Sequence, residues 1–409
     1  MKENRNYMLI VQKFGGSSVK DAERIRNVAR IIAETFLLGH DVVVVLSAQG
    51  DTTDDLLEKA AELNRNPSKR ELDMLLTTGE QQSVALMAMC LESMDLPVTS
   101  LTGWQVGIRT DTRYSSARIR RVETERLRRE LDQHRIVLVT GFQGVNKFDD
   151  YTTLGRGGSD TTAVALAAAL HADRCQIYTD VEGVYTADPR KVPAARKLEE
   201  ITYDEMLELA SMGAQVLMNR SVELAKRYSV ELEVLSSLVR APGTKVKEVA
   251  KRMEEMKITG IAKDDKVARV TVDRIQDKPG SAFRVLNAMA KAGVSVDMII
   301  QAHGRDGTND MSFVVAEENA DKAQAALEER KDAIGFESVT IDKDIAKVSV
   351  VGAGMMSSVD VASFVFEALN DAHINIQMIS TSEIKISCLI ERGDADRAVS
   401  AIHGKFFEN

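Results

Sequence analysis

Residues 155–171 read Gly-Arg-Gly-Gly-Ser-Asp-Thr-Thr-Ala-Val-Ala-Leu-Ala-Ala-Ala-Leu-His, a glycine-dense turn that runs directly into an alanine-rich helix. Ser159 or Asp160 is expected to cap this helix by accepting a hydrogen bond from its first amides. The remaining free amides and the positive end of the helix make a site for an anion. Arg156 adds a planar fork that suits a carboxylate or a phosphate. By itself the pattern is equally typical of an ordinary capped turn with a surface arginine.

Two other stretches have the same character. Residues 9–19 read as a strand, a glycine turn and a helix, with Lys13 just before the glycines. Residues 177–190 read as a strand end followed by a polar loop of carboxylates, hydroxyls and an arginine. Three such loops, each after an apolar strand, suit a site along the carboxyl edge of a parallel sheet. None of them matches the pattern G-x-x-x-x-G-K-[ST], which excludes a P-loop protein.

These three stretches resemble the signature motifs of the aspartate kinase family, as Lys13-Phe-Gly-Gly-Ser-Ser-Val19, Gly155-Arg-Gly-Gly-Ser-Asp-Thr-Thr-Ala163 and Tyr178-Thr-Asp-Val-Glu-Gly-Val-Tyr-Thr-Ala-Asp-Pro-Arg190. The resemblance covers essentially the whole chain. It implies an α/β amino-acid kinase fold, with a mostly parallel sheet between helix layers, and two ferredoxin-like ACT regulatory domains. It also implies phosphoryl transfer from ATP to the side chain of L-aspartate, the first step towards lysine, threonine and methionine.

Composition narrows the class of protein. The chain has 409 residues and a formal net charge of −9, which suggests two or three domains and, without a basic stripe, excludes a nucleic-acid-binding protein. The longest apolar runs have strand length, and the charged opening residues are not a signal peptide. Three scattered cysteines, Cys90, Cys175 and Cys388, are typical of a reducing cytoplasm. The six histidines are dispersed, so any metal is expected to arrive with a nucleotide.

The first half of the chain alternates apolar strands with helical patterns. The predicted strands are 8–14, 42–47, 97–101, 136–140, 174–179 and 230–235, and the predicted helices are 20–38, 117–133 and 204–228. Thr77-Thr78-Gly79-Glu80 is expected to open a further helix that runs to Met94. Residues 245–257 are expected to be a linker or a short helix, which places the catalytic domain at 1–244.

An internal repeat occupies the C-terminal part. The first copy follows the order β-α-β-β-α-β. The second copy repeats this order but stops after its second helix, so its final strand is missing. Residues 257–263 are a candidate for the missing strand, and the resemblance likewise implies that the first copy is inserted into the second. We therefore expect a first ACT domain at 264–344 and a second formed by 257–263 with 345–409.

The resemblance implies roles for residues of the kinase half. Lys13 is expected to neutralise the transferred phosphoryl group, Arg156 to hold the α-carboxylate of aspartate, and Asp160 to orient Lys13 or a water on Mg²⁺. The expected ATP residues are Lys13, Phe14, Gly15, Gly16, Ser17, Thr179, Asp180, Tyr185, Asp188 and Arg190. The expected aspartate residues are Ser47, Thr53, Glu80, Arg156 and Ser159. Glu80 is expected at the substrate ammonium group, with a favourable helix-dipole position as the alternative.

One motif departs from the family. Many members carry a lysine in a Gly-Ala-Lys stretch near the triphosphate, whereas this chain reads Gly213-Ala214-Gln215. Arg220 and Lys226 are candidates to supply the missing cation.

The ACT resemblance implies an effector amino acid, L-lysine or L-threonine, and a homo-oligomer formed through these domains. The expected effector residues are Asp277, Ser281, Ala282, Ser295, Val296, Asp297 and Gln301 of the first unit, and Asn375, Ile376, Ser382 and Glu383 of the second. Asp277 and Asp297 are expected to hold an ammonium group. The loop at 356–360 lacks the Pro-Gly of its counterpart, so the first unit is expected to be the better site.

Two other functions remain open at this point. A kinase of another acidic amino acid, such as acetylglutamate or glutamate, would share the fold, but the paired ACT units and the three motifs count against it. A non-catalytic amino-acid sensor would need a dead kinase site, whereas Lys13, Glu80, Arg156 and Asp160 are all present.

Overall fold

The computed structural model describes residues 7–211, 216–250, 258–304, 307–353, 355 and 360–408. These residues fall into two compact units. The first contains the described residues of 7–184, 197–210 and 216–250, and the second contains those of 185–196, 211 and 258–408. Among the described residues no helix is long and apolar enough to cross a membrane.

The first unit contains a large, mainly parallel sheet and a smaller sheet. The strands of the unit are β1 (Leu9–Phe14), β2 (Asp41–Leu46), β3 (Val98–Leu101), β4 (Ile108–Thr110), β5 (Ile119–Val122), β6 (Ile136–Thr140), β7 (Gln143–Val145), β8 (Tyr151–Thr153), β9 (Arg174–Thr179), β10 (Glu200–Thr202), β11 (Leu232–Ser236) and β12 (Thr244–Lys247). The large sheet has the order β10-β12-β11-β9-β1-β2-β6-β3, with only the β11–β12 pair antiparallel. The carboxyl ends of β1, β2, β6 and β9 therefore share one edge. A smaller sheet has the order β5-β4-β7-β8.

Helices cover the large sheet. They are α1 (Ala22–Leu37), α2 (Thr52–Leu63), α3 (Lys69–Glu92), α4 (Gly103–Val106), α5 (Glu125–Leu131), α6 (Gly158–Leu170), α7 (Tyr203–Ser211) and α8 (Asn219–Tyr228). Phe14, Val42 and Val44 are fully buried in one core with the inner faces of α1 and α3. The helix α6 packs on β1, β2 and β9. The central strands are nearly continuous apolar runs because helices shield the sheet.

The helix that carries Glu80 begins earlier than the sequence predicts. Ser68 caps α3 by accepting from the Glu71 amide at 3.4 Å, so residues 77–80 lie in the middle of the helix, and the predicted start was wrong. Gly79 looked like a helix boundary. In the folded chain a Cβ at Gly79 would lie 2.9 Å from the Cβ of Ala48, so the glycine allows the helix to approach the loop after β2.

Two further predictions for this unit were wrong. Residues 117–133 do not form one helix, because 119–122 form β5, which pairs with β4, and only 125–131 are helical as α5. Residues 245–247 are not a linker, because β12 pairs with β10 and β11 in the large sheet. Both are four-residue strands, and their formation depends on partner strands rather than on their own sequence pattern.

The second unit contains two four-stranded antiparallel sheets among its described residues. Its strands are β13 (Gly260–Asp264), β14 (Val267–Gln276), β15 (Asp297–His303), β16 (Thr308–Ala316), β17 (Ser338–Asp342), β18 (Ile345–Val351), β19 (Met378–Thr381) and β20 (Lys385–Glu391). Its helices are α9 (Ser281–Ala292), α10 (Ala320–Glu328), α11 (Lys331–Ile334), α12 (Val361–Asp371) and α13 (Ala395–Phe407). The sheet orders are β15-β16-β14-β17 and β13-β18-β20-β19. The segment after 257 thus pairs with β18, as the interleaved repeat predicts.

The two sheets of the second unit pack on each other. Val267, Met298 and Val314 of the first sheet share an apolar cluster with Ile345, Met378 and Leu389 of the second. The segment Tyr185–Arg196 also belongs to this unit. Its Ala187 and Val192 join the core of the second sheet, and the carbonyl of Thr186 accepts from the amide of Ile261 at 2.7 Å.

Candidate active site

A buried ion pair joins β1 to α6. The Nζ atom of Lys13 lies 2.6 Å from Oδ1 of Asp160, and the two side chains are 12% and 9% exposed. Lys13 lies at the carboxyl end of β1, and Asp160 lies in the first turn of α6. The attraction between these two buried opposite charges fixes the direction of the lysine side chain. The structure therefore brings together the two charged residues that the sequence predicts at the phosphoryl group.

The glycine turn after β1 packs against the loop after β2. A Cβ at Gly16 would lie 2.7 Å from the carbonyl oxygen of Ala48, and the amide of Gly50 donates to Gly16 O at 3.1 Å. Gly15 and Gly16 are half-buried and Ser17 is exposed. Phe14, also predicted at the nucleotide, is fully buried and stacks on Tyr178 with ring centroids 4.5 Å apart. Its side chain is part of the core, so only its backbone can face a nucleotide.

Glu80 is a buried carboxylate with one free oxygen. Its Oε1 accepts from the amide of Ala48 at 3.2 Å, whereas Oε2 has no hydrogen-bond partner among the described residues. Burial raises the pKa of Glu80 to about 8. A position in the middle of α3 removes the helix-dipole alternative, because the dipole acts on the first turn. An unpartnered buried carboxylate of this kind suits a cationic ligand.

Both glycines that flank Arg156 have a positive φ angle. Gly155 has φ 80° and Gly157 has φ 66°. Gly157 is the N-cap of α6 and makes no side-chain capping bond, so the predicted caps, Ser159 and Asp160, were wrong. A Cβ at Gly157 would overlap Cγ of Met218, which explains the glycine. The Arg156 side chain is exposed, with no hydrogen-bond or ion-pair partner among the described residues.

The other predicted aspartate residues lie around Glu80 and α6. Ser47 follows β2, with its amide donating to Phe14 O at 3.1 Å, and Thr53 lies in the first turn of α2. Ser47 belongs to the connection whose Ala48 amide donates to Glu80, and Thr53 lies in the helix that follows this connection. Ser159 is 5% exposed, and its Oγ lies 2.5 Å from where a Cβ of Gly141 would be. Gly141, at the end of β6, was not predicted, because its need to be glycine comes from α6 rather than from its neighbours in sequence.

The loop after β9 was predicted at the nucleotide. Thr179 Oγ1 donates to Asp180 Oδ1 at 3.0 Å in the first unit. Tyr185, Asp188 and Arg190 belong to the second unit. There Arg190 donates through Nε and Nη2 to the two Asp188 oxygens at 3.0 and 2.9 Å, and these hydrogen bonds lower the pKa of Asp188. The two charges are paired with each other.

Neither candidate replacement for the missing lysine is free. Gln215 lies outside the described residues. Arg220 donates to the carbonyl oxygens of Leu154 and Ala117, each at 2.7 Å, and Lys226 donates to Asp204 at 2.6 Å. Both side chains therefore have other partners in this conformation, and the suggestion that one of them supplies the cation stays a prediction.

The predicted effector residues surround the first helix of each ACT sheet. Asp277 is exposed and accepts from Asn309 Nδ2 at 2.9 Å, and Ser281 is buried with its Oγ bonded to Gln276 O at 2.8 Å. The carboxylate of Asp297 instead accepts from Nζ of Lys347 at 2.6 Å. Burial would raise the pKa of Asp297, but the Lys347 ammonium lowers it overall. The remaining residues are exposed or half-buried: Ala282, Ser295, Val296, Gln301, Asn375, Ile376, Ser382 and Glu383.

Comparison with known proteins identifies the domains of the chain. Residues 8–236 match the amino acid kinase family, and residues 269–335 and 348–406 each match an ACT domain. An aspartokinase from Mycolicibacterium smegmatis is 52% identical over 403 residues, which cover 97% of this chain and 96% of that protein.

Two solved structures share the architecture. E. coli aspartokinase III in complex with aspartate and ADP is 26% identical, with a TM-score of 0.83, and the match covers 98% of this chain and all of that one. The same enzyme in complex with lysine and aspartate is 27% identical, with a TM-score of 0.75, over 98% of this chain and 99% of that one. From its kinase motifs, its two ACT domains and these relatives, the chain belongs to the aspartokinase family.

Proposed function

We propose that this aspartokinase transfers the terminal phosphoryl group of ATP to the side-chain carboxylate of L-aspartate, giving 4-phospho-L-aspartate and ADP. The observation that carries the proposal is the buried Lys13–Asp160 pair between two glycine turns. The reaction brings two anions together, so catalysis depends on alignment and on neutralising charge. A lysine whose direction is fixed by a carboxylate aligns the phosphoryl group and also neutralises its charge. The relative that binds aspartate and ADP supports the choice of substrates.

Aspartate is held by groups that leave its side chain free to react. Glu80, with an unpartnered buried oxygen, takes the ammonium group, and Arg156 takes the α-carboxylate in a bidentate pair. Ser47, Thr53 and Ser159 complete the pocket with hydroxyl groups. The substrate ammonium compensates the buried charge of Glu80, which makes the ionised form of the carboxylate favourable in the complex. A carboxylate oxygen then attacks the terminal phosphorus, and the bond to the ADP oxygen breaks.

The nucleotide approaches the glycine turn after β1. Gly15, Gly16 and Ser17 offer backbone amides to phosphate oxygens, with Thr179 and Asp180 at the adjacent strand end. A Cβ at Gly15 would lie 3.5 Å from Lys13 Nζ, so a glycine there also leaves room beside the lysine. The roles of Phe14, Tyr185, Asp188 and Arg190 at the nucleotide stay predictions.

Kinase chemistry implies Mg²⁺. Such ions are usually bound through substrate phosphates, waters and one or two carboxylates. Asp160 in the first turn of α6 is a carboxylate of this kind, and among the described residues no cluster of three or more His, Cys, Asp or Glu side chains forms a separate metal site. When bound, the ion would supply positive charge to the phosphates, and Asp160 would orient Lys13 or a water on the ion.

The ACT sheets provide feedback control. We assign L-lysine or L-threonine as the effector and the loop at Asp277 as its contact, because Asp277 is exposed whereas Asp297 already holds an ammonium group. The lysine complex of E. coli aspartokinase III supports the class of ligand.

A homo-oligomer and a cytoplasmic location complete the proposal. Ile299 of β15 and Ile379 of β19 are 48% and 42% exposed on outer strands, and Phe283 of α9 is 68% exposed, which suits pairing with a second copy. The three cysteines are free, as is usual in a reducing compartment.

The test is a coupled assay of ADP release with L-aspartate, L-glutamate and N-acetylglutamate as separate substrates. The proposal expects release with L-aspartate far above the other two. Preference for another acidic amino acid would reassign the substrate, and no release with any of them would favour the sensor.

A further inference from the structure

Asp73 is a fully buried carboxylate that lies outside the predicted site. It lies in α3 seven residues before Glu80, hence on the same side of the helix. No lysine, arginine or histidine of the described residues pairs with it. Instead its oxygens accept from the amide and hydroxyl of Ser115 and from the amide and hydroxyl of Thr153, at 2.8 to 3.2 Å. A buried carboxylate satisfied only by such donors fixes the segments that carry them.

Of the two segments that Asp73 holds, one leads into the Arg156 loop and the other lies against it. Thr153 ends β8, three residues before Arg156. Ser115 belongs to the neighbouring segment, and its carbonyl oxygen would lie 3.2 Å from a Cβ at Gly155. The amide of Ala117 donates to Thr153 O at 2.9 Å, so the two segments are also joined to each other.

A second helix holds the same segments from another side. Arg220, in the first turn of α8, donates Nη1 to Leu154 O and Nη2 to Ala117 O, each at 2.7 Å. Burial lowers the pKa of Arg220, but a guanidinium stays protonated at neutral pH. A third bond, from the amide of Leu154 to Phe142 O at 2.8 Å, ties the loop to the end of β6.

We propose that Asp73 and Arg220 are positioning residues for aspartate: together they hold the backbone of residues 153–155, and so place the exposed Arg156 side chain opposite Glu80. Arg156 itself has no partner among the described residues, so its position is set by its backbone. The helix α3 carries both Asp73 and Glu80. The same helix therefore positions the carboxylate for the ammonium group of aspartate and the backbone next to Arg156, which binds the α-carboxylate. This inference rests on the proposed roles of Arg156 and Glu80.

The test is Asp73→Asn, which keeps the size of the side chain but turns an NH₂ group towards donors. We expect the KM for aspartate to rise about tenfold or more while the KM for ATP and kcat stay close to wild type, because a displaced Arg156 loses binding common to ground and transition state. The control is Thr110→Val, which removes the buried hydroxyl pair between Thr110 and Thr152, at 2.7 Å in the same small sheet. It should leave the KM for aspartate unchanged.

A double-mutant cycle distinguishes a specific effect on the position of Arg156 from a general loss of structure around the site. In an Arg156→Ala background, Asp73→Asn should add almost nothing to the KM for aspartate, because the loop then carries no binding group. Additive effects, or equal rises in the two KM values, would overturn the proposal. A wild type that does not use aspartate overturns the proposed function instead, and a wild-type KM for Arg156→Ala overturns the role of Arg156.

Arg220→Met provides an independent arm should Asp73→Asn not fold. It keeps the aliphatic stem and releases the two carbonyl groups. The same selective rise in the KM for aspartate, again absent in the Arg156→Ala background, is expected. An Arg220→Met enzyme with the wild-type KM for aspartate would contradict the proposal.

Discussion

The Nζ atom of Lys347, in β18, lies 2.6 Å from Oδ2 of Asp297, in β15, so an ion pair joins the two ACT sheets within the second unit. The pair is asymmetric, because the lysine side chain is 7% exposed and the aspartate side chain 49%. An ammonium group buried without its partner costs more than a half-exposed carboxylate that water can solvate. The stability of this intersheet contact therefore depends mainly on whether the buried Lys347 ammonium has a negatively charged partner.

This asymmetry predicts unequal effects on stability. Asp297→Ala leaves a buried unpaired ammonium and should lower the free energy of unfolding by about 1–3 kcal/mol, whereas Lys347→Met should be close to neutral. Chemical denaturation of both variants measures the difference. Equal losses would show that the pair matters through both partners alike.

Lys13→Ala should reduce turnover by about two to three orders of magnitude in a protein that still folds, with a melting temperature below that of the wild type. The substitution removes the positive charge opposite the phosphoryl group, and it leaves the buried Asp160 carboxylate, 9% exposed, without its ion-pair partner. Steady-state rates and thermal melts check both parts. Turnover near wild type would remove Lys13 from the reaction.

Arg156→Lys should raise the KM for aspartate with little change in the KM for ATP, because an ammonium group cannot reproduce the two parallel bonds of a guanidinium. Stability should be unaffected, since the side chain is exposed. If the KM for aspartate is unchanged, the α-carboxylate lies elsewhere.

Glu80 predicts a pH dependence of aspartate binding. Its pKa of about 8 means that the free enzyme holds a neutral carboxyl at lower pH, and the ammonium group needs the ionised form. The KM for aspartate should therefore rise as pH falls below about 8, by at most tenfold per unit. Glu80→Gln should weaken binding and flatten the profile.

The same shift has a consequence for stability. The folded pKa lies above the usual 4.5, so the contribution of Glu80 to stability is full below that usual value and is lost as pH rises through about 8. The melting temperature of the wild type, relative to Glu80→Gln, should fall as pH rises from about 4.5 to about 8 and should level off above that. If the difference in melting temperature between the two proteins did not change with pH, Glu80 would not have the raised pKa that its burial implies.

Asp277→Ala should relieve inhibition by lysine or threonine without lowering uninhibited turnover. We expect the concentration for half-inhibition to rise at least about fivefold, since effector coupling is typically ~1–3 kcal/mol. Lys278→Ala, in the same loop, is the control and should stay inhibited. If neither amino acid, alone or together, inhibits the wild type at millimolar levels, the regulatory assignment fails.

Local patterns in the sequence were sufficient for much of the fold. The strand that carries Lys13, the helix that carries Asp160 and the β-α-β-β-α-β order of the ACT repeats all lie where alternation and helical spacing predict them. These features depend on residues close together in the chain, so they can be read without knowing their partners. The same holds for the motifs, whose order along the chain indicated the family.

Partners distant in sequence could not be read in this way. Gly79 looked like the start of a helix, but it is glycine because Ala48 packs against it. Ser159 looked like a helix cap, but Gly157 takes that place beside Met218.

The sequence alone therefore indicated the family and the order of most elements, and it predicted the candidate residues of the site. Tertiary structure decided how those residues are used. Asp73 meets Thr153 across 80 residues, and Lys347 meets Asp297 across 50. Whether a buried charge serves a ligand or the fold depends on which donors surround it, and packing brings those donors together only after the chain has folded.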